Sequence, residues 1–469
     1  MGIAKFLSNK QTQILCTSIA CLSLISDNMQ VSWSSPATPK LKKPDSPISN
    51  FNEETASWIE RLYLIGSLIG LPITIILVDR LGRKPSIMIA SSTNLLSWTL
   101  IAIATNKETL YVSRFLGGLS SAINFIAVSI YIAEIADKKV RGFLSSFNAL
   151  CGVIGVIIMY SVAPFVSITS SAVVAASINA FQLVAFFFIP ESPYLLIKKK
   201  KMVKCQKALT FLRNNNLKSV EDEFEEIKEA VQRQEKESHR VVDLFVDAGN
   251  RKATLIGCML YVAEHFGCVT IILMNLQTIL EDADGALQPE IVCILFAIVT
   301  LISCIIGMCV IDKIGRRVLL LSSIASTTFF LIIIATYFVL KDVNYYNLNN
   351  FNWIPIVCII CYGLSVKGGV EMVPVIVTAE LFPTNVKAIG LTFADTVYVG
   401  CSLLVLYVYQ ILESKLGIYY PFYLYSIICA TIGIGIYFFV PETNRKTLEE
   451  IQLELRGIKK RETRLLREI

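Results

Sequence analysis

Long stretches without any charged residue constrain this chain more than any other feature. No Asp, Glu, Lys or Arg occurs in residues 85–106, 318–340 or 416–441. A helix needs about 20 apolar residues to cross the hydrocarbon core of a bilayer. Lipid offers the backbone no hydrogen-bond partner, so a segment that spans it alone has to be helical. Each of these blocks therefore predicts one membrane-spanning helix.

A fourth charge-free block, 142–190, is about twice as long and has Pro164 near its middle, which predicts two spans joined by a turn. The whole chain of 469 residues is 54% hydrophobic and only 17% charged, whereas soluble domains carry about 25% charged residues. We expect an all-α membrane protein with twelve transmembrane helices. The predicted helices lie near 14–35, 57–79, 85–106, 110–133, 143–163, 170–190, 253–280, 290–311, 317–340, 353–380, 388–412 and 418–440.

The distribution of basic residues predicts the orientation. With both termini in the cytoplasm, 34 of the 43 Lys and Arg fall on the inner side of the membrane, in agreement with the positive-inside rule. We therefore expect a multi-pass protein of the cell membrane with both termini cytoplasmic. The predicted division is a six-helix bundle at 1–196, a cytoplasmic helical linker at 197–252, a second bundle at 253–440 and a cytoplasmic tail at 441–469.

Three short motifs occur twice, in the same order. The run DRLGRK at 79–84 recurs as DKIGRR at 312–317, and the Pro-Glu pair at 190–191 recurs at 441–442. A glutamate followed seven residues later by a basic residue occurs at 134–141 and again at 380–387. Each motif follows the same numbered helix of its half, which predicts two parallel six-helix repeats. Transporters with this layout hold their substrate at the interface of the repeats.

The repeated motifs contain opposite charges at the cytoplasmic ends of helices. One interpretation is a gating network, in which ion pairs and helix dipoles hold one conformation and break in the other. The alternative is that these charges only fix the topology. Gly82 and Gly315 favour the first interpretation, because a tight turn needs a positive φ that glycine adopts at little cost. The candidate network is Asp79, Arg80, Arg83, Glu134, Arg141, Glu191, Asp312, Arg316, Arg317, Glu380, Lys387 and Glu442.

With these motifs the chain resembles a sugar porter of the major facilitator superfamily, particularly the insect trehalose and hexose facilitators. The resemblance extends along the whole chain. Further motifs that carry it are WSSPATP at 33–39, SRF at 113–115, YIAE at 131–134, PESP at 190–193 and AELFP at 379–383. It implies facilitated transport of a sugar, and a central site lined by the fifth, seventh and tenth helices.

At the positions where the resemblance implies sugar binding, this chain departs from the family. The family has two adjacent glutamines on the seventh helix, and amides suit sugars because each both donates and accepts hydrogen bonds. The aligned residues here are Glu264 and His265. On the fifth helix the family's glutamine is replaced by Ala149, beside Asn148, and on the tenth its tryptophan is replaced by Val375.

Ionisable residues at membrane depth are costly and usually face a cavity or one another. Lys367 and Glu371 are four residues apart and therefore share a helix face. They either contribute to a substrate site or form an ion pair that only closes the packing, and both possibilities stay open here. The candidate substrate-binding residues are Asn148, Glu264, His265, Thr270, Lys367 and Glu371.

Asp27 raises the question of proton coupling. Proton-coupled sugar porters have an aspartate on the first helix near an arginine of the fourth, and that arginine is Arg114 here. Alignment on Pro36, however, puts Met29 at the aspartate position. The resemblance therefore favours uniport over proton coupling.

The function predicted from the sequence is facilitative transport of a sugar of the trehalose or hexose class by alternating access. The alternatives are transport of a charged or amphoteric solute by the same fold, and a solute sensor that does not transport. The chain has no GxxxxGK[ST] loop, so we expect no nucleotide to drive it. We also expect no enzymatic activity, cofactor, metal ion or nucleic-acid partner, and we interpret the 13 cysteines as small apolar residues.

Overall fold

The computed structural model describes residues 9–48, 51–137, 140–213, 217–236, 242–343, 348–382, 386–444, 446 and 448–456. All regular structure in these ranges is helical. The α-helices are α1 Asn9–Leu41, α2 Glu53–Arg80, α3 Arg83–Ile103, α4 Lys107–Ile135, α5 Arg141–Ser145, α6 Phe147–Val162, α7 Ile168–Phe187, α8 Pro193–Lys198, α9 Met202–Leu212, α10 Leu217–Lys236, α11 Asp243–Val246, α12 Ala248–Phe266, α13 Val269–Ala283, α14 Pro289–Ile314, α15 Arg316–Asp342, α16 Ile354–Ser365, α17 Met372–Leu381, α18 Lys387–Leu416, α19 Tyr419–Phe439 and α20 Leu448–Leu455.

Over the described residues, twelve helical segments are long and apolar enough to cross a membrane. The predicted all-α fold with twelve transmembrane helices in two sets of six is confirmed. Three spans are not single uninterrupted helices. The fifth, Gly142–Val162, joins α5 to α6; the seventh, Ala248–Ala283, joins α12 to α13; and the tenth, Ile354–Leu381, joins α16 to α17 through a π-helical turn.

The chain divides into two compact units, Met1–Ser238 and His239–Ile469. The predicted boundaries at 196, 252 and 440 stay a prediction. In the first unit the core lies between α1, α3, α4, α6 and α7, around the fully buried side chains of Trp33, Trp98 and Tyr131. Glycines let α2 and α4 approach closely: a Cβ at Gly118 would overlap the carbonyl of Tyr63. Small residues at such contacts are typical of packed membrane helices.

The short helices α8, α9 and α10 form a small core of their own on the first unit, around Leu209, Phe224 and Ile227. Arg213, whose side chain is 4% exposed, makes two bonds of 2.5 and 2.7 Å to the carboxylate of Glu223. It also donates to the carbonyl of Ile135 at the end of α4, 3.2 Å away. These helices cover much of the predicted linker, and its cytoplasmic location stays a prediction.

In the second unit the seventh span is interrupted where the sequence predicted one helix over 253–280. Cys268 adopts a left-handed φ of +68° between α12 and α13. The carbonyl of Gly267, next to this break, accepts a hydrogen bond of 2.6 Å from the buried hydroxyl of Tyr362 on α16. A side chain of the tenth span thus satisfies a polar group at the interruption of the seventh, as burial in an apolar medium requires.

The π-helical turn of the tenth span is Val366–Val370. Ser323 of α15 is bonded to both of its ends, donating to the carbonyl of Ser365 at 2.6 Å and accepting from the amide of Val370 at 3.0 Å. A Cβ at Gly369 would overlap Ser323. Glycine at this position therefore lets α15 approach closely enough for Ser323 to hydrogen-bond to the irregular backbone.

The end of the described chain packs on the second unit. Gln452 of α20 donates to the carbonyl of Leu381, and Arg456 makes a 2.9 Å ion pair with Asp247. Asp247 is the N-cap of α12, where its Oδ1 accepts from the amides of Gly249 and Asn250 at 2.8 and 3.1 Å. Asp247 thus caps the helix that begins the seventh span and also forms an ion pair with the segment that follows the twelfth span.

Candidate functional site

The repeated charges of the first unit form a connected set. The Nη2 of Arg83 donates to Oε1 of Glu134 at 2.7 Å, and Ser192 donates to the other oxygen of the same carboxylate. Both charged side chains are largely buried, at 12% and 15% exposure. Glu191 accepts from the backbone amide of Lys84 at 3.1 Å. The set therefore ties the start of α3 to the end of α4 and to the segment after α7.

The second unit repeats this arrangement with its own residues. The Nη2 of Arg316 donates to Glu380 at 3.2 Å and pairs with Asp312 at 2.9 Å, and its Nη1 donates to Asn444 at 2.6 Å. Glu442 accepts from the backbone amides of Arg316 and Arg317 at 3.1 and 3.0 Å. The start of α15 is thus tied to the end of α17 and to the segment after α19.

The two glutamates that follow the sixth and twelfth spans cap helices that are distant in sequence. The N-cap positions of α3 and α15 are Gly82 and Gly315, which have positive φ and offer no side chain to the first amides. Glu191 and Glu442 supply the missing acceptors. A carboxylate at a helix N-terminus also interacts favourably with the helix dipole.

The basic residues that end the repeated motifs donate to backbone carbonyls at the C-terminal ends of other helices, α7 and α19. Lys84 donates to the carbonyls of Phe187 and Ile189 at 2.7 and 2.6 Å. Arg317 donates to the carbonyl of Tyr437 and lies over its ring, with 5.2 Å between the guanidinium carbon and the ring centroid. The unsatisfied carbonyls at helix C-termini attract cations in this way.

Two members of the predicted network, Asp79 and Arg80, lie outside these sets, and the side chains of two more are not described. Asp79 is exposed and lies 3.7 Å from Lys198, and Arg80 is exposed at the end of α2. Arg141 and Lys387 begin α5 and α18, and their side chains lie outside the described residues. The network as a functional unit stays a proposal.

Five of the six candidate substrate-binding residues lie in the second unit. Lys367, in the π-helical turn, forms an ion pair with Glu371. Glu264 of α12 is 2% exposed and interacts with both of them. The hydroxyl of Tyr398 on α18 donates to its carboxylate, while its Oε2 has no hydrogen-bond partner among the described residues. The ammonium group of Lys367 thus pairs with Glu371 and interacts with Glu264 only at longer range.

His265 and Thr270 lie on the two sides of the interruption in the seventh span. The imidazole Nδ1 is 3.2 Å from the hydroxyl of Thr270, which accepts from Ser402 at 3.3 Å. The ring of Tyr398 packs against the imidazole, with 4.3 Å between ring centroids. The candidates on α12 and α13 are therefore held by α18. The sixth candidate, Asn148, belongs to the first unit, where it donates to Ser129 at 2.9 Å.

The helix α18 contributes three side chains that are not among the candidate substrate-binding residues, although Asp395 stands out in the sequence as an ionisable residue at membrane depth. Its side chains at Asp395, Tyr398 and Ser402 reach Tyr261, Glu264 and Thr270 respectively. The spacing of three and then four residues puts them on one face of a helix. This polar stripe in an otherwise apolar segment was the available signal.

A buried polar network in the first unit connects Arg114 to Asp27, the two residues that raised the question of proton coupling; its intermediate members, Gln30 and Asn94, were not predicted. Arg114, fully buried, donates to the backbone and side-chain oxygens of Gln30 at 2.7 and 2.9 Å. Gln30 donates to Asn94 at 3.2 Å, and Asn94 donates to Asp27 at 2.8 Å. The rings of Trp33 and Tyr63 lie against the guanidinium. Arg114 is thus bonded to Gln30, and two amides separate it from Asp27.

Metal binding has no support in the described part of the chain, where His, Cys, Asp and Glu form no group of three or more that could hold an ion.

Comparison with known proteins agrees with this architecture. The family "Sugar (and other) transporter" matches residues 18–455. The facilitated trehalose transporter Tret1 of Apis mellifera ligustica is 25% identical over 95% of this chain and 88% of its own length. The Tret1 of Drosophila yakuba is 24% identical over 95% of this chain but only 52% of its own length. The chain thus spans about half the length of that relative.

Solved structures show the same fold. The inward-open xylose transporter XylE from E. coli superposes with a TM-score of 0.77 at 18% identity, over 93% of this chain and 98% of that one. XylE bound to 6-bromo-6-deoxy-D-glucose gives 0.75 at 19% identity, over 95% and 100%. The chain is an integral, multi-pass membrane protein with this fold. With nearly its full length matched, the chain belongs to the sugar (and other) transporter family.

Proposed function

We propose that this protein moves a sugar across a membrane down its gradient, by alternating access. The observation that carries the proposal is the match of residues 18–455 to the sugar (and other) transporter family. The relatives named above are facilitated trehalose transporters, which supports a solute of the trehalose or hexose class. The sugar-bound XylE structure supports the same class of solute.

The proposal includes the location and orientation of the chain. The excess of Lys and Arg on one side supports an orientation with both termini and the segment 197–252 in the cytoplasm, and we propose the cell membrane as the location. Tags fused at either terminus should be labelled only after permeabilisation of intact cells. Labelling of a terminal tag from outside would contradict this orientation.

The repeated charge sets support a gating role. Each set joins the start of its unit's third span to the end of the fourth and to the segment after the sixth. Ion pairs that join several helix ends can be made in one conformation and broken in another, as switching between two states requires. The ionic sets at Arg83 and Arg316 would then bias the equilibrium between conformations.

Uptake of radiolabelled trehalose and glucose into cells that lack hexose transport tests the proposed function. Uptake that saturates and does not depend on ATP or a proton gradient is the expected result. A thermal shift with sugar but no uptake would instead indicate a solute sensor. Absence of both binding and uptake for all sugars would contradict the proposal.

A further inference from the structure

The candidate site in the second unit has an unequal number of opposite charges. Three carboxylates, those of Glu264, Glu371 and Asp395, interact with Tyr398. Lys367 is the only cation that the structure places among them in the described part of the chain, and its ammonium is held by Glu371. The hydroxyl of Tyr261 bonds to Asp395. This leaves the carboxylate of Glu264 without a cationic partner of its own.

The environment of Glu264 makes this imbalance costly. Its side chain is almost completely buried, and its Oε2 makes no hydrogen bond within the described residues. A buried carboxylate without a partner is strongly unfavourable as an anion, so such a group either takes up a proton or pairs with a cationic donor. A group that donates to Oε2 and carries positive charge would supply both the missing hydrogen bond and the missing cationic partner.

The ion pair between Lys367 and Glu371 is more exposed than this carboxylate. The side chains of Lys367 and Glu371 are 16% and 26% exposed, in contrast to the buried Glu264. Thr270 and Ser402 add hydroxyl groups beside His265. The cluster therefore combines one deep carboxylate with neutral donors and acceptors, which suits a polyhydroxylated molecule with one charged end.

We propose that the substrate of this site is a sugar or sugar-like polyol that carries a protonated amino group, which Glu264 Oε2 binds. This inference rests on the proposed function and narrows its substrate class. An amide at position 264 would donate and accept with hydroxyl groups only, whereas a carboxylate forms a charge-assisted bond with an ammonium group, which is about twice as strong.

Binding of a matched pair of sugars to the purified full-length protein tests this. Glucosamine and N-acetylglucosamine share the ring and the C2 nitrogen, but only the amine of glucosamine takes up a proton, so binding is compared at a mildly acidic pH where glucosamine is cationic. A hydrogen bond to a charged group is stronger than one between neutral groups, so glucosamine should bind on the order of tenfold more tightly. Glu264→Gln should abolish that preference. Glu413→Gln, which removes a carboxylate near the C-terminal end of α18, should keep it. If Glu264→Gln does not fold, Glu264→Asp retains the carboxylate and should retain the preference.

The outcomes separate the two proposals. Equal binding of the two sugars by the wild type overturns the amino-sugar assignment, while uptake of neutral glucose or trehalose would leave sugar transport intact. A preference for glucosamine that survives in Glu264→Gln also overturns the assignment to this carboxylate. Preferential glucosamine binding without uptake supports the site and contradicts transport. Failure of every sugar to bind overturns both.

Discussion

Arg83 and Arg316 make the same contact in the two units: each guanidinium Nη2 donates to Oε1 of the glutamate at the end of its unit's fourth span, at 2.7 and 3.2 Å. The equivalence is not complete. Ser192 shares the partner of Arg83, whereas Asn444 bonds directly to Arg316. The second set thus concentrates more bonds on its arginine than the first.

Because Arg316 bonds to three side chains, we expect Arg316→Ala to destabilise the protein more than Arg316→Lys does. Alanine leaves Glu380 and Asn444 without their donor, at a cost of about 1–3 kcal/mol for partly buried groups. Lysine keeps the charge but cannot reach Glu380, Asp312 and Asn444 together in the planar geometry of a guanidinium. The thermal midpoint of the detergent-solubilised protein should fall in the order wild type, lysine variant, alanine variant. Equal midpoints for all three would show that the set does not contribute to stability.

The two glycine caps provide a second prediction. Gly315 has a φ of +99°, and a Cβ there would lie 2.8 Å from Oε2 of Glu442. Gly315→Ala should therefore strain the turn and displace the carboxylate that caps α15, with a loss of roughly 1 kcal/mol or more. Gly400→Ala is the matched control, because a Cβ at that helical position meets nothing within 4 Å. Both variants are compared by thermal unfolding, and a loss that is equal in the two would contradict the argument.

The buried ion pair of the α8–α10 core gives a third prediction. Arg213→Ala removes a nearly buried guanidinium from Glu223 and from the end of α4, and should cost about 1–3 kcal/mol locally. Limited proteolysis in 197–236 should become faster. Lys228→Ala, which breaks the exposed pair with Glu225, should have little effect, since such pairs contribute about 0–1 kcal/mol. Unchanged cleavage in Arg213→Ala would show that this pair does not hold the helices.

The N-cap of α12 predicts a pH dependence. Burial opposes ionisation of Asp247, but hydrogen bonds from Asn250 and Gly249 and the charge of Arg456 keep the pKa of its carboxyl below the usual value. A lowered native pKa stabilises the fold above the unfolded value of about 3.9, and this stabilisation is lost as the pH falls through the native pKa. Asn also caps helices well, so Asp247→Asn should differ from wild type near neutral pH and converge with it in acid. A constant difference in thermal midpoint from pH 7 to pH 3 would contradict the prediction.

The twelve spans and the duplicated halves were predictable because each depends on local composition. Charge-free runs of bilayer length have one stable structure in lipid. The repeated motifs put Arg83 and Arg316 among opposite charges at helix ends for a related reason: helix ends that meet in one repeat also meet in the other. Helical spacing put Lys367 and Glu371 on one helix face, but it left open whether they form an ion pair or belong to a substrate site.

The interruptions and the partners across helices were not predictable in this way. Cys268 adopts a left-handed conformation although it is neither Gly nor Asn, and the bond from Tyr362 to the neighbouring carbonyl is 95 residues distant in sequence. The role of Tyr398 depends on α18 packing against α12, which no periodicity specifies. Tertiary contacts decide such features, and a single sequence does not list them.

The π-helical turn at Val366–Val370 has a consequence for how the length of the tenth span can vary. A π turn is equivalent to one extra residue in a helix whose other residues each turn by about 100°. Deleting Gly368 would therefore make the backbone a regular α-helix and leave the segments on either side close to their present faces. Lys367 and Glu371 would then be three residues apart, which still puts them on one face, and Glu380 should still reach Arg316. A one-residue deletion elsewhere in α16 or α17 has no widened turn to absorb it and would rotate everything downstream by about 100°. The tenth span should thus tolerate a change of length inside the π turn better than anywhere else.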